Sequence, residues 1–140
     1  MAEESEPPHI LASELRARFL AGQKPGQDFI LIDLRGSDFR GGTIHGSFNI
    51  PMQSVAFALP SLYSLASAAG VPDVIWYCGS SCGRGLRGAA LFADYVKEQG
   101  SSTPRSMVLK GGINGWVESG KEYTDLIDGY EAEAWQQAHT

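Results

Sequence analysis

The sequence predicts an α/β fold in which a mostly parallel sheet is covered by helices on both faces. Three observations point to it. Short continuous apolar runs at 29–32, 73–77 and 107–109 read as strands buried on both faces, not as half-exposed alternating ones. Helical periodicities alternate with these runs along the chain. The run at 73–77 ends directly in Cys78 and a Gly/Ser loop, and in such sheets ligands gather beyond the carboxyl ends of the strands.

Taken in order, the first element is a helix over 10–21, with apolar Leu11, Leu15, Phe19 and Leu20, Ser13 available as a cap, and Gly22 and Pro25 as stops. A strand over 29–32 runs into Asp33, and a short second strand covers 47–50. A helix spans 55–69, a buried strand 73–77, and a helix 86–99. The last strand, 107–109, precedes Gly111-Gly112. No internal repeat or linker interrupts the pattern, and 140 residues suffice for one domain with one core.

Composition excludes several classes of function. A formal net charge of −5 gives no basic surface for nucleic acid. No apolar run is long enough to cross a bilayer. Met1 to Pro8 is acidic and proline-containing, without the features of a signal or transit peptide, so residues 1–9 are expected to be a disordered acidic tail and 10–140 the single domain. Two cysteines four positions apart, in a chain with no others, point to a reducing compartment, cytosol or nucleus, and to a chemical role. His9, His45 and His139 show no zinc spacing with them, so no metal is expected. The glycines around Arg84 lack a Gly-Lys-Ser/Thr ending, which excludes a nucleotide P-loop.

The informative segment is Cys78-Gly79-Ser80-Ser81-Cys82-Gly83-Arg84, between a buried strand and a helix. A cysteine acts as nucleophile when positive potential favours its thiolate. A helix N-terminus and the forked guanidinium of Arg84 supply that potential. Gly79, Ser80, Ser81 and Gly83 are small enough for successive backbone amides to turn inward as an anion nest, which Cys82 and Arg84 complete. Cys82 and Arg87 offer a second register, Cys82-Gly83-Arg84-Gly85-Leu86-Arg87. It is disfavoured because the nucleophile should leave the strand end directly and Arg84 should open the helix.

Asp33-Leu34-Arg35 and Phe39, then Ile44-x-Gly46-x-x-Asn49-Ile50-Pro51, the strand ending in Cys78, and Leu109-Lys110-Gly111-Gly112-x-x-x-Trp116 together resemble the signatures of the rhodanese superfamily. The match spans 29–116. It implies a three-layer fold with a central sheet of about five strands. Sulfurtransferases of that superfamily place four residues between cysteine and arginine, whereas M-phase inducer phosphatases and eukaryotic arsenate reductases place five, as here. The resemblance thus implies a cysteine-dependent phosphatase or arsenate reductase. Cys78 would be the nucleophile, Arg84 and the loop amides would bind a small oxyanion or phosphorylated substrate, and no organic cofactor would be needed. Arsenate reduction would consume glutathione or a dithiol carrier.

Departures from the pattern narrow the expectation. The phosphatases carry carboxylates in this loop where Gly79 and Gly83 stand here, and the chain ends soon after Trp135, where they use a longer segment to dock large substrates; both favour a small anion. Cys82 reads either as a resolving or protecting thiol for Cys78 or as a small buried residue. Asp33 reads as a general acid or, more plainly, as a partner of Arg35 or loop amides. A thiosulfate-type sulfurtransferase with a persulfide on Cys78, and a catalytically weak binding module, are the rival readings. The sequence names no oligomeric state.

Overall fold

The computed structural model describes residues 6–80 and 82–137. A sheet of five parallel strands has the order β1-β6-β5-β2-β4: β1 (His9–Ile10), β6 (Arg105–Leu109), β5 (Asp73–Tyr77), β2 (Ile30–Asp33) and β4 (Phe48–Asn49). A separate antiparallel pair joins β3 (Thr43–Ile44) to β7 (Ile127–Asp128).

The strands are apolar on both faces because each face meets its own helices. Ile30, Ile32, Val74, Trp76 and Val108 pack with Val55, Leu62 and Ala66 of α2 (Val55–Ala69), and with Ala89, Phe92 and Val96 of α3 (Arg84–Glu98). The alternate residues, Leu31, Ile75, Tyr77, Met107 and Leu109, face Leu15 of α1 (Ala12–Leu20) and Ile113 and Trp116 of α4 (Gly112–Glu118). A period of two in each strand therefore sorts one run of apolar residues into two cores, giving the three layers. Trp76, Phe92 and Trp116 are core residues.

Two differences from the sequence reading concern the N-terminus. Ile10 belongs to β1 and not to the first helix, because the Pro8 carbonyl accepts from Val108 N–H and Ile10 pairs with Leu109. Pro7 and Ile10 are buried and His9 belongs to β1; the part of the expected tail at 1–5 lies outside the described residues. Ser13 does not cap α1. Glu14 does, accepting the Leu11 N–H at 2.8 Å and satisfying a donor the helix leaves unpaired. Two further short helices, α5 (Lys121–Thr124) and α6 (Ala132–Gln137), follow α4.

Asp33 ends β2 and Arg35 follows it, at 0% and 2% exposure. Arg35 Nε and Nη2 donate to the Asp33 carboxylate at 3.0 and 2.7 Å, and its Nη1 and Nη2 reach the carbonyls of Arg40 and Gly42. Asp33 is thus the structural partner of Arg35, the plainer of the two readings. One buried guanidinium closes the loop 36–42 against the sheet. Asn49 Nδ2 donates to the carbonyls of Asp33 and Arg35, which explains the asparagine in the second motif. Beneath, the buried Tyr77 hydroxyl meets Thr43 Oγ1, Ser47 Oγ and the Ile44 N–H. Burial, and then the Asp33 charge, push that phenol above its ordinary range.

Candidate active site

β5 ends at Tyr77, and Cys78 follows at the carboxyl edge of the sheet, 2% exposed, within the α2/α3 core. Parallel strands bring the ends of β2, β5 and β6 to this same edge. The loop after β6 reaches across: Ile113 N–H donates to the Cys78 carbonyl at 3.1 Å and Asn114 N–H to the Gly79 carbonyl at 2.9 Å. With both carbonyls claimed by the start of α4, the backbone from Cys78 is committed to one path. This approach requires the second glycine of the pair, because Gly112 has φ +58° and a Cβ there would collide with the Cys78 and Gly79 carbonyl oxygens.

Gly79 lies beside the Asn114 side chain. Ser80 Oγ accepts from the Cys82 N–H at 3.3 Å. Ser81 lies outside the described residues. Cys82 and Gly83 are exposed, so Cys82 is not a packed core residue, which removes the blander of its two readings. Arg84 is the first residue of α3, whereas Arg87 stands one turn on and exposed, as the Cys78 register anticipates. The Gly83 carbonyl accepts from Arg87 N–H, leaving the first amides of α3 without intrahelical partners.

Among the described residues, two groups meet the Arg84 guanidinium. One is the Cys78 sulfur, with which the guanidinium shares a hydrogen bond. The other is Asp38, from the loop closed by Arg35: Nη1 donates to Oδ1 at 2.9 Å and Nη2 to Oδ2 at 2.6 Å. The hydrogen bond with Asp38 is the largest cause of the upward shift of Arg84, and it holds the Asp38 carboxyl down at about 2. Sequence reasoning missed Asp38, 46 positions from Arg84. The available signal was topological: loops that follow neighbouring parallel strands share one edge, and an acid in the loop after β2 falls beside the loop after β5.

Both nearby carboxylates are held by guanidinium groups. Asp38 is ionised well below neutral pH and gripped by Arg84, while Asp33 is sealed between Arg35 and Thr43. His9 and His45 are exposed, His45 Nδ1 lies 2.8 Å from Asp128, and His139 is outside the described residues. Among the described residues no group of three or more His, Cys, Asp or Glu is placed to hold a metal ion. No helix among them is long and apolar enough to cross a membrane.

Comparison with known proteins matches residues 12–119 to the rhodanese-like domain family. Arsenate reductase 2.1 of rice, Oryza sativa subsp. japonica, is 36% identical over 117 residues, covering 80% of this chain and 71% of that protein. Among solved structures, a yeast protein tyrosine phosphatase of the rhodanese family superposes with a TM-score of 0.77 at 25% identity, covering 94% of this chain and 98% of that one. The As–Sb reductase of Leishmania major superposes with a TM-score of 0.71, also at 25% identity, over 81% of this chain and 78% of that one.

Proposed function

The chain belongs to the rhodanese-like domain family, and from that premise we propose that it is a cysteine-dependent oxyanion enzyme whose substrate is arsenate. The observation that carries the reading is the meeting of Arg84, first residue of α3, with Cys78 at the end of β5 across five intervening residues. The Cys78 thiolate attacks arsenic(V) and an arsenate oxygen leaves as water, giving a sulfur–arsenic adduct. Arg84 and the amides of the loop 79–84 hold the remaining oxygens, whose charge rises in the transition state. A second thiol then attacks the Cys78 sulfur; the sulfur–arsenic bonding pair stays on arsenic, which departs as arsenite, and the two sulfurs are left as a disulfide.

Exposure divides the thiol roles. Cys78 is buried and Cys82, four residues away, is exposed, which supports Cys82, alongside glutathione, as the thiol that resolves the adduct. Glutathione or a dithiol carrier then reduces the disulfide.

Phosphate-ester hydrolysis is the second reading, supported by the likeness to the yeast phosphatase. Arsenate is preferred because an ester needs its alkoxide leaving group protonated, and of the two nearby carboxylates Asp38 is ionised and paired with Arg84 while Asp33 is buried and bonded by Arg35 and Thr43. Purified protein should convert arsenate to arsenite with glutathione faster than it hydrolyses an aryl phosphate, and thiosulfate should leave no persulfide on Cys78. Rapid aryl phosphate turnover without arsenite formation would replace this reading with the phosphatase one, and a persulfide with the sulfurtransferase one.

A further inference from the structure

The pair between Arg84 and Asp38 is half-exposed, with side-chain exposures of 35% and 43%, and ion pairs in such settings contribute little to stability. Its geometry is nonetheless specific. Both terminal nitrogens of the guanidinium are matched to the two carboxylate oxygens, the arrangement that fixes a plane as well as a position. Asp38 is itself held, since Oδ1 also accepts the Gly36 N–H at 3.0 Å. Its loop is held too. Arg35 bonds the Arg40 and Gly42 carbonyls and stacks 4.6 Å over the Phe39 ring, and Trp135 Nε1 donates to the Gly41 carbonyl at 2.9 Å. A braced carboxylate therefore meets a guanidinium that, on its long side chain at a helix start, would otherwise be free to turn to solvent.

We propose that Asp38 is a positioning residue, which orients Arg84 so that the guanidinium faces the Cys78 sulfur and the oxyanion bound above it. This rests on the reading of Arg84 as the anion-binding group. The arrangement has the logic of a carboxylate steadying the base of a nucleophile: the acid touches neither substrate nor nucleophile and acts through the residue between them.

Charge alone and positioning make opposite predictions. If Asp38 acted only through its charge, it would repel both the thiolate and the incoming anion, and Asp38→Asn would accelerate both steps. If it positions Arg84, the same substitution releases the guanidinium and slows both. The experiment is alkylation of Cys78 by iodoacetamide at pH 7, followed by site-resolved mass spectrometry, together with arsenate reduction, on the full chain. Asp38→Asn should slow alkylation of Cys78 by about tenfold and lower kcat/KM for arsenate by roughly 10- to 100-fold, with Asp38→Glu recovering part of each. Combined with Arg84→Ala, Asp38→Asn should add nothing to the alkylation defect. A thermal midpoint like that of the wild type separates this effect from unfolding. Faster or unchanged alkylation in Asp38→Asn, or a full further loss on top of Arg84→Ala, overturns the proposal. Alkylation indifferent to Arg84→Ala would instead overturn the reading of Arg84, so the two failures are told apart. Should Asp38→Asn not fold, Asp38→Glu alone decides, since the positioning account requires it to fall between wild type and Arg84→Ala.

Discussion

Asp38 carries a charge whose dependence on pH has a definite sign. Arg84 holds its carboxyl at about 2, below the ordinary 3.8, so the folded protein gains from the ionised form at any pH above the unfolded value. That gain is constant from pH 8 to pH 5 and is lost as pH falls from about 4 toward 2. Because the pair is half-exposed, any difference in thermal midpoint between wild type and Asp38→Asn should be small, flat above pH 5, and fade as pH falls through about 4 toward 2; a difference that changed between pH 6 and 8 would assign the effect to another group. The same depressed value means that no acid limb of activity above pH 5 belongs to Asp38. At this scale the sequence revealed the two residues joined by local spacing, Cys78 and Arg84, because a strand end and a helix start fix their separation. It hid Asp38, whose partner is chosen by the order of strands in the sheet and not by proximity along the chain.

The elements around the loop show why some boundaries were legible and others were not. The limits 55–69 and 73–77 follow from strong apolar patterns between Ser54 and Gly70 and after Pro72, and they match α2 and β5. β1, β3 and β7 have two residues each, too few for any periodicity, and form only because a neighbouring strand or loop offers its amides and carbonyls. The glycine pair after β6 was legible as a motif, but its purpose was not: it brings α4 onto the backbone of Cys78 and Gly79. Gly112→Ala should therefore destabilise the protein by on the order of 2 kcal/mol or more, from a left-handed φ and a carbonyl collision. It should also slow Cys78 alkylation, because the loop must move for the methyl group to fit. Chemical denaturation and alkylation measured together check this; an alanine variant with wild-type values in both would show that the approach of α4 is not needed.

Across the whole molecule, the site is assembled from segments far apart in sequence and braced by one buried ion pair and one C-terminal aromatic side chain. Arg35 joins the end of β2 to the loop 36–42, and Trp135 of α6 packs on the same loop with its indole bonded to Gly41. α6 thereby supports the loop that carries Asp38, the residue that meets Arg84. Trp135→Ala should cost about 3 kcal/mol in unfolding free energy. At temperatures where the variant is still folded, it should reduce kcat/KM for arsenate while leaving the helical circular dichroism unchanged. Full activity in a destabilised Trp135→Ala protein would confine α6 to a stabilising role. The central claim is that a buried thiol at the end of β5, facing Arg84, forms the bond to arsenic. Arsenite production from arsenate and glutathione, compared in wild type, Cys82→Ser and Cys78→Ser, tests it most directly. The account predicts no turnover for Cys78→Ser and a stoichiometric first attack retained in Cys82→Ser, whereas turnover by Cys78→Ser at the wild-type rate would contradict it.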